Sequence, residues 1–182
     1  MSKRQNGLVA LVVALALLSG CASVTTSTST GTSASTSAHQ FGVQTKTSGC
    51  VASKGLPDPA CTPGALMEGA TKDKICQSGY ASSVRNVPQS VKNKAYAEYG
   101  IASHFPGEYE VDHLVSLELG GSNDISNLWP EAANPKPGFH EKDKVENYLH
   151  DQVCSGKISL RQAQLEIATN WPAVYNEMQA SQ

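Results

Sequence analysis

A tract of Ser, Thr, Ala and Gly at residues 22–38 limits most strongly what this chain can fold into. The tract has no charged side chain and almost no large apolar one. Ordering it would cost conformational entropy that no buried surface could offset. Because turn-forming residues continue to about Gly55, we interpret residues 21–55 as a disordered tether. Residues 56–182 then have the length of one ordinary domain with a single core.

The first 20 residues have the features of an export signal. Lys3 and Arg4 precede an apolar run, Gly7–Leu18, that is too short to span a bilayer comfortably. The run ends in Leu-Ser-Gly-Cys, which resembles the processing box of bacterial lipoproteins, with Cys21 as the lipidated residue. The alternative is an ordinary secretory signal that happens to contain a cysteine. We expect residues 1–20 to be a lipoprotein signal peptide.

The expected anchor predicts a membrane partner and a location. Two or three acyl chains on Cys21 would hold the protein at a membrane in the cell envelope. Ala22 rather than Asp follows the cysteine, which favours the outer membrane, or a position facing the periplasm, in a Gram-negative cell.

The charge balance excludes one class of nucleic-acid-binding protein. The chain has 14 Lys and Arg against 16 Asp and Glu, and its formal net charge is -2. Loss of Lys3 and Arg4 with the signal would make the remainder more acidic. A protein that coats DNA needs a basic excess to neutralise phosphates, so only a local nucleic-acid site remains compatible with this composition.

Four cysteines remain after Cys21 is set aside. An even number in an exported chain favours two disulfides, and the sequence leaves all three pairings open. A structural zinc site is the alternative, although no Cys-x-x-Cys pair is present. The candidates are Cys50, Cys61, Cys76 and Cys154.

The folded part has the pattern of a small α+β domain. Apolar periodicity predicts helices over about Gln89–Tyr99 and Phe139–Val153, and one capped by Ser159 that runs to about Thr169. Between the first two, the alternating segment Tyr109–Val115 and the return segment Asn127–Pro130 predict a β-hairpin with an elaborated loop. We expect Trp129 and Trp171 to be core residues, and His39 and His104 to have no special role.

The hairpin and the helix after it carry side chains typical of phosphodiester chemistry. Asp112 and His113 are adjacent, Asn127 lies on the return side, and His140 and Asp143 fall in the first turns of the helix. The segments Tyr109–Gly121 and Asn127–Glu131 resemble the signature of small exported bacterial members of the HNH, or ββα-metal, endonuclease family. The resemblance implies an HNH hairpin-helix core with flanking helices over residues 56–182.

The resemblance also implies roles for three of these residues. His113 would be the general base facing the scissile phosphate, because a neutral imidazole accepts a proton near neutral pH. Asp112 would reach a divalent ion, since in this fold the strand ends at that point. Asn127 would fasten the hairpin loop and orient His113.

The second metal ligand departs from the family pattern. Lys136 occupies the position at which the family has this ligand, and a Pro-Lys-Pro-Gly insertion makes the following helix begin later. Asp143 is our first candidate because magnesium prefers oxygen donors, and His140 is the second. We expect Mg²⁺, with Mn²⁺, Ni²⁺ or Zn²⁺ as alternatives.

The expected function is a metal-dependent HNH endonuclease that hydrolyses DNA rather than RNA, exported and lipid-anchored. A non-catalytic cell-envelope lipoprotein that keeps the HNH fold as a binding module is the alternative, favoured by the acidic net charge and the displaced ligand. A third interpretation is a metal-dependent hydrolase of other phosphodiesters.

Overall fold

The computed structural model describes residues 39–181 of the chain. The signal peptide, the lipidation site Cys21 and the Ser/Thr-rich tract predicted above lie outside these residues. The described part is a mixed α+β fold, as the sequence predicts. Its elements are α1 (Lys72–Ile75), α2 (Tyr80–Val84), α3 (Gln89–Glu98), β1 (Tyr109–His113), β2 (Leu128–Ala132), α4 (Phe139–Cys154) and α5 (Leu160–Ala180), with 3₁₀ turns at Leu117–Leu119 and Ile125–Asn127.

The two strands form an antiparallel hairpin. Tyr109 pairs with Ala132 at one end and His113 with Leu128 at the other. Because successive side chains of a strand alternate between its faces, Asp112 and His113 project to opposite sides of the hairpin. The Asp112 side faces α4, and the His113 side faces the loop that joins the strands.

Strand β1 ends at His113, two residues before the predicted end. At Val115 the Asn127 side chain takes the place of a partner strand: its Oδ1 accepts the Val115 N–H at 2.9 Å, and its Nδ2 donates to the Val115 carbonyl at 2.9 Å. The loop then returns through Gly120 and Gly121. A side chain on Gly121 would overlap the Val115 carbonyl, so only glycine fits there.

The core lies between the hairpin loop, α4 and α5. Buried side chains of α4 (Val145, Leu149) meet those of α5 (Ile167, Trp171). Trp129 of β2 is 2% exposed and belongs to the same core, as predicted. This packing fixes the start of α4 against the end of β1.

Two disulfides join distant parts of the fold, as the cysteine count predicts. Cys50 is bonded to Cys61, and Cys76 to Cys154. The packed unit also extends upstream of residue 56. Gly42 donates its N–H to the Gly64 carbonyl at 2.6 Å, and Cys50 is 5% exposed.

Three helical features differ from the prediction. The short helices α1 and α2 were not anticipated, because neither is long enough to show an apolar period. Helix α5 was expected to end near Thr169 but continues to Ala180 across a kink at Asn170. Pro172 explains the kink, since its ring removes a donor and crowds the preceding turn. Within residues 39–181, every helix is too short or too polar to cross a membrane.

Candidate functional site

His113 is the last residue of β1, and its ring is held from one side. His113 Nε2 lies 3.1 Å from Asn123 Oδ1. An amide oxygen only accepts hydrogen bonds, so Nε2 must carry the proton and Nδ1 must carry the lone pair when the ring is neutral. The hydrogen-bond network therefore assigns the tautomer that leaves Nδ1 as an acceptor.

The orientation of the Asn123 amide is itself fixed. Asn123 Nδ2 donates to the Val84 carbonyl at 2.8 Å, and Asn123 Oδ1 accepts the Asn86 N–H at 3.2 Å. If the amide were flipped, its oxygen would face the Val84 carbonyl oxygen and its NH₂ group would face the Asn86 N–H, so neither hydrogen bond could form. The loop after α2 thus determines, through Asn123, which ring nitrogen of His113 is protonated.

His113 is more enclosed than a base facing a phosphate was expected to be. The residue is 2% exposed, and it lines a cavity of about 500 Å³. Burial lowers the pKa of His113 to about 4, although the Asn123 hydrogen bond and the Asp112 carboxylate act in the opposite direction. The imidazole is therefore neutral at physiological pH, and Nδ1 carries an unprotonated lone pair.

Lys142 of α4 is fully buried under the end of β1. Its ammonium donates to Asp112 Oδ2 at 2.8 Å, to the His113 carbonyl at 2.8 Å and to Glu146 Oε1. These contacts use all three donors of the ammonium. Lys142 thereby ties the backbone of His113 and the side chain of Asp112 to the first turns of α4.

The ion pairs determine whether Lys142 and Asp112 are charged. Burial by itself would lower the pKa of Lys142, but the Asp112 and Glu146 carboxylates outweigh it and raise that pKa above its ordinary value. Burial would likewise raise the pKa of Asp112, but Lys142 outweighs it and leaves it below its ordinary value. Lys142 and Asp112 are therefore both charged at neutral pH.

Further carboxyl groups surround this pair, and their pKa values are raised. Burial raises the pKa of Glu146 to about 8, against the attraction of Lys142. Burial, with repulsion from Asp112, also raises the pKa values of Glu110 and Asp143. We call Glu110, Asp112, Glu131, Asp143 and Glu146 the acidic cluster.

Glu131 of β2 is the most unusual member of the acidic cluster. The residue is 1% exposed, and neither carboxyl oxygen has a donor partner. Burial raises the pKa of Glu131 well above its ordinary value, and the facing Asp112 carboxylate adds to the shift. A protonated Glu131 can donate to Asp112, whereas an ionised Glu131 leaves two acceptors unsatisfied in the interior.

Asn127 is fully buried and closes the hairpin loop. Its Nδ2 donates to the Val115 carbonyl at 2.9 Å and to the Ser122 carbonyl at 2.8 Å. Its Oδ1 accepts the Val115 N–H and, at 3.3 Å, the Ala65 N–H. The contacts hold the loop that carries Asn123, so Asn127 is connected to His113 through that loop.

The predicted metal ligands lie near one another without forming a tight group. Asp143 and His140 are exposed on the first turns of α4, and Asp143 interacts electrostatically with both Asp112 and His140. Within residues 39–181, the one set of three or more His, Cys, Asp or Glu ligand atoms within 4.8 Å of one another is Cys76, His150 and Cys154. Asp112, Asp143 and His140 are not such a set.

The Cys76–His150–Cys154 group could hold a metal ion, but only in a reduced protein. Its sulfur atoms are joined in the disulfide described above, and a disulfide sulfur is not a thiolate ligand. His150 Nε2 lies 3.1 Å from the Ile75 carbonyl and 3.4 Å from Cys154 Sγ. On α4 the group begins at His150, one helical turn after Glu146 of the acidic cluster.

No family model, no curated protein and no solved structure matches this chain. The chemistry of the site therefore has to be understood from its own geometry.

Among the described residues, no three members of the acidic cluster have ligand atoms that all lie within 4.8 Å of one another, so it could hold a divalent cation only if water molecules completed the coordination shell. Its carboxyl groups outnumber the one buried ammonium among them, and the raised pKa values of Glu110, Asp143 and Glu146 follow from burial and mutual repulsion that a cation would relieve. Magnesium usually keeps several waters and needs only one or two carboxylates. Each oxygen of Asp112 keeps a second lone pair beyond its present hydrogen bond.

Two residues of this region were missed at the sequence level. Neither Asn123 nor Lys142 is among the site residues predicted from the sequence. An Asn in a Gly-Gly-Ser-Asn turn gives no signal of a contact with His113. The position of Lys142, three residues before the buried Val145, does place it near the apolar face of α4 and could have indicated burial.

Proposed function

We propose that this chain is a metal-dependent endonuclease of the HNH (ββα-metal) type that hydrolyses phosphodiester bonds in DNA. We further propose that it is exported and lipid-anchored in the cell envelope. The observation that carries the proposal is His113: a neutral imidazole with Nδ1 left as an acceptor, lining a cavity and adjacent in sequence to Asp112 of the acidic cluster.

In the proposed reaction, His113 Nδ1 takes a proton from a water molecule in the cavity. The water oxygen forms a bond to phosphorus while the bond from phosphorus to the leaving 3′ oxygen of the deoxyribose breaks. The leaving oxygen is then protonated from solvent. Asn123 keeps the Nε2 proton in place, so the incoming proton has only Nδ1 to occupy.

Asp112 and Asp143 would hold the divalent cation, with His140 as the alternative to Asp143. The bound cation supplies positive charge where the phosphate and leaving oxygens gain negative charge. The protein's own contribution is Lys142, which fixes the Asp112 side chain and the His113 carbonyl to the same helix. The contact ties the Asp112 side chain, on the α4 side of the hairpin, to the backbone of the residue that carries the proposed base.

Supercoiled plasmid DNA provides the test. Purified protein with Mg²⁺ should convert the plasmid to nicked and linear forms, excess EDTA should stop the reaction, and added Mg²⁺ should restore it. Mn²⁺, Ni²⁺ and Zn²⁺ added back separately would identify the preferred ion. Absence of cleavage with every one of these ions would contradict the proposal.

One observation favours a second function, a non-catalytic binding module with the same fold. Asp112 Oδ2 is already bound by the Lys142 ammonium, a cation supplied by the protein itself. If the Lys142 ammonium neutralises Asp112 in place of a metal ion, the protein needs no metal. Calorimetric titration with Mg²⁺ and Mn²⁺ separates the two functions, because the binding module predicts no heat of binding in a folded protein.

A further inference from the structure

The cavity beside His113 contains a stacked pair of rings. Tyr96 of α3 and His104 of the following loop lie with ring centroids 4.5 Å apart and planes inclined by 25°. The edge of Tyr109 meets His104, with ring centroids 6.1 Å apart. All three rings line the cavity, although we expected His104 to have no special role.

Two cationic side chains line the same cavity. Arg85 follows α2 and Lys92 lies on α3. Among residues 39–181, neither cation takes part in an ion pair or donates a side-chain hydrogen bond. The Arg85 charge nevertheless acts on His113, Glu110 and Asp143. These cations are thus available to an anion that enters beside His113.

The cavity has an aromatic surface and positively charged side chains, and its size suits one nucleotide. Its volume of about 500 Å³ is in the range of small-ligand sites. Glu110 also lines it and would repel a phosphate, so the favourable position for a phosphate is on the side of Arg85 and Lys92. Aromatic stacking of single bases together with cationic backbone contacts is how proteins bind single-stranded nucleic acid.

A base inside a duplex could not make this contact. Its two faces are covered by neighbouring bases and its edge by its partner, so it would first have to be unstacked at a cost of a few kcal/mol. An unpaired strand bears no such cost. The geometry therefore favours single-stranded over double-stranded nucleic acid at this cavity.

We propose that the cavity binds one unpaired nucleotide of a nucleic-acid strand, with its base on the Tyr96–His104 pair and a backbone phosphate at Arg85 and Lys92. The inference rests on the proposed function, because it places the strand whose phosphate His113 would meet. It makes single-stranded nucleic acid, or a locally unpaired segment of a duplex, the preferred substrate.

The test measures binding without cleavage. Fluorescence anisotropy in EDTA compares a labelled DNA strand with the duplex formed by the same strand and its complement, at one fixed salt concentration. We expect the single strand to bind at least about 10-fold more tightly, since a base of the duplex must first be unstacked. Equal or tighter binding of the duplex would overturn the inference, as would binding of neither probe.

Variants locate the contact. Tyr96→Leu should weaken single-strand binding by about 5- to 100-fold, the range of one lost base stack. His104→Ala, in an exposed loop, should act in the same direction without threatening the fold. Tyr148→Leu removes a tyrosine that is 40% exposed outside the cavity and should have no effect. Unchanged binding in both cavity variants, in proteins with wild-type melting temperatures, would place the strand elsewhere.

A second pair of variants tests the phosphate contact. Arg85→Gln should weaken binding and reduce the salt dependence by about one counterion, whereas Lys157→Gln, an exposed lysine outside the cavity, should not. An unaltered salt dependence in Arg85→Gln would remove Arg85 from the contact.

The failures of the two proposals can be told apart. Plasmid cleavage with equal affinity for both probes would leave the nuclease proposal standing and overturn the single-strand inference. Tight single-strand binding that depends on Tyr96, without cleavage of any DNA, would support the single-strand inference and contradict the nuclease proposal.

Discussion

His113 Nε2 and Asn123 Oδ1 lie 3.1 Å apart, and this contact joins the end of β1 to the loop that follows it. Asn123 is in turn held by the backbone of Val84 and Asn86. Rigid second partners of this kind set the tautomer and direction of a catalytic imidazole. The contact connects the proposed chemistry of His113 to a segment far away in the sequence.

Substitution Asn123→Asp should raise the pKa of His113 from about 4 toward or above its ordinary value of 6.5. A carboxylate beside the ring favours the protonated form, which an amide does not. Any acid limb in the pH dependence of cleavage should shift to higher pH with it. Nuclear magnetic resonance of the histidine ring protons measures the change directly.

The matched control is Asn93→Asp, which adds the same charge on the exposed surface of α3. It should leave the titration of His113 nearly unchanged. An unshifted His113 pKa in a folded Asn123→Asp protein would mean that Asn123 does not control the ring.

Substitution Lys142→Met should reduce the free energy of unfolding by about 3–5 kcal/mol. Removing the ammonium leaves Asp112 as a buried carboxylate without its counterion, which costs more than the pair itself contributes. Lys144→Met, on the exposed face of the same helix, should cost no more than about 1 kcal/mol. Urea unfolding of both variants makes the comparison, and equal losses would contradict the proposed role of Lys142.

The acidic cluster should make the protein less stable as the pH rises. The pKa of Glu146 is about 8 in the folded protein, above its ordinary 4.5. The stabilisation from its bound proton is complete below pH 4.5 and is lost as the pH rises through 8. Glu146→Gln, which keeps an oxygen for Lys142, should remove roughly 3–5 kcal/mol of this pH dependence.

Denaturant unfolding at pH 5 and pH 9 tests this prediction, and the same measurement reports on cation binding. Mg²⁺ should raise the melting temperature of the wild-type protein more at pH 9 than at pH 5, because protons no longer compete for the carboxylates. A wild-type protein as stable at pH 9 as Glu146→Gln would contradict the assignment of the raised pKa.

The two disulfides should contribute unequally to the free energy of unfolding. Cys76 and Cys154 close a segment of 78 residues, and Cys50 and Cys61 one of 11. In the chain-entropy description, breaking the longer link costs about 2 kcal/mol more. Chemical denaturation of two double variants, Cys76→Ser/Cys154→Ser and Cys50→Ser/Cys61→Ser, tests this prediction. A larger loss of stability in Cys50→Ser/Cys61→Ser would contradict it.

The Cys76–His150–Cys154 group should have no part in metal-dependent cleavage, since its sulfurs are oxidised. His150→Gln should therefore cleave plasmid at the wild-type rate with the same Mg²⁺ dependence. A large loss of activity in His150→Gln, with an intact fold, would move the metal site to this group.

The hairpin and the long helices could be predicted because their patterns are local. Alternation marks β1, and apolar residues four apart mark α4. An end of the helix near Thr169 was predicted, and the kink at Asn170 lies there, but the continuation of α5 to Ala180 was not predicted. Burial of Val174 beyond the kink is a tertiary contact that overrides the local signal.

The contacts around His113 could not be predicted for the same reason. Asn123 reaches Val84, and Lys142 reaches Asp112, across long stretches of sequence. The short helices α1 and α2 place Val84 and Arg85, yet neither has an apolar period. The disulfide pairing also depended on the fold, since four cysteines allow three arrangements.

Replacement of His113 by Ala tests the central claim most directly. With Mg²⁺ present, we predict that His113→Ala cleaves plasmid DNA about 10²–10⁴-fold more slowly than the wild-type protein, the usual contribution of a general base. His39→Ala, whose imidazole bonds the Pro63 carbonyl far from the acidic cluster, should keep the wild-type rate. Undiminished, EDTA-sensitive cleavage by a folded His113→Ala protein would contradict the account.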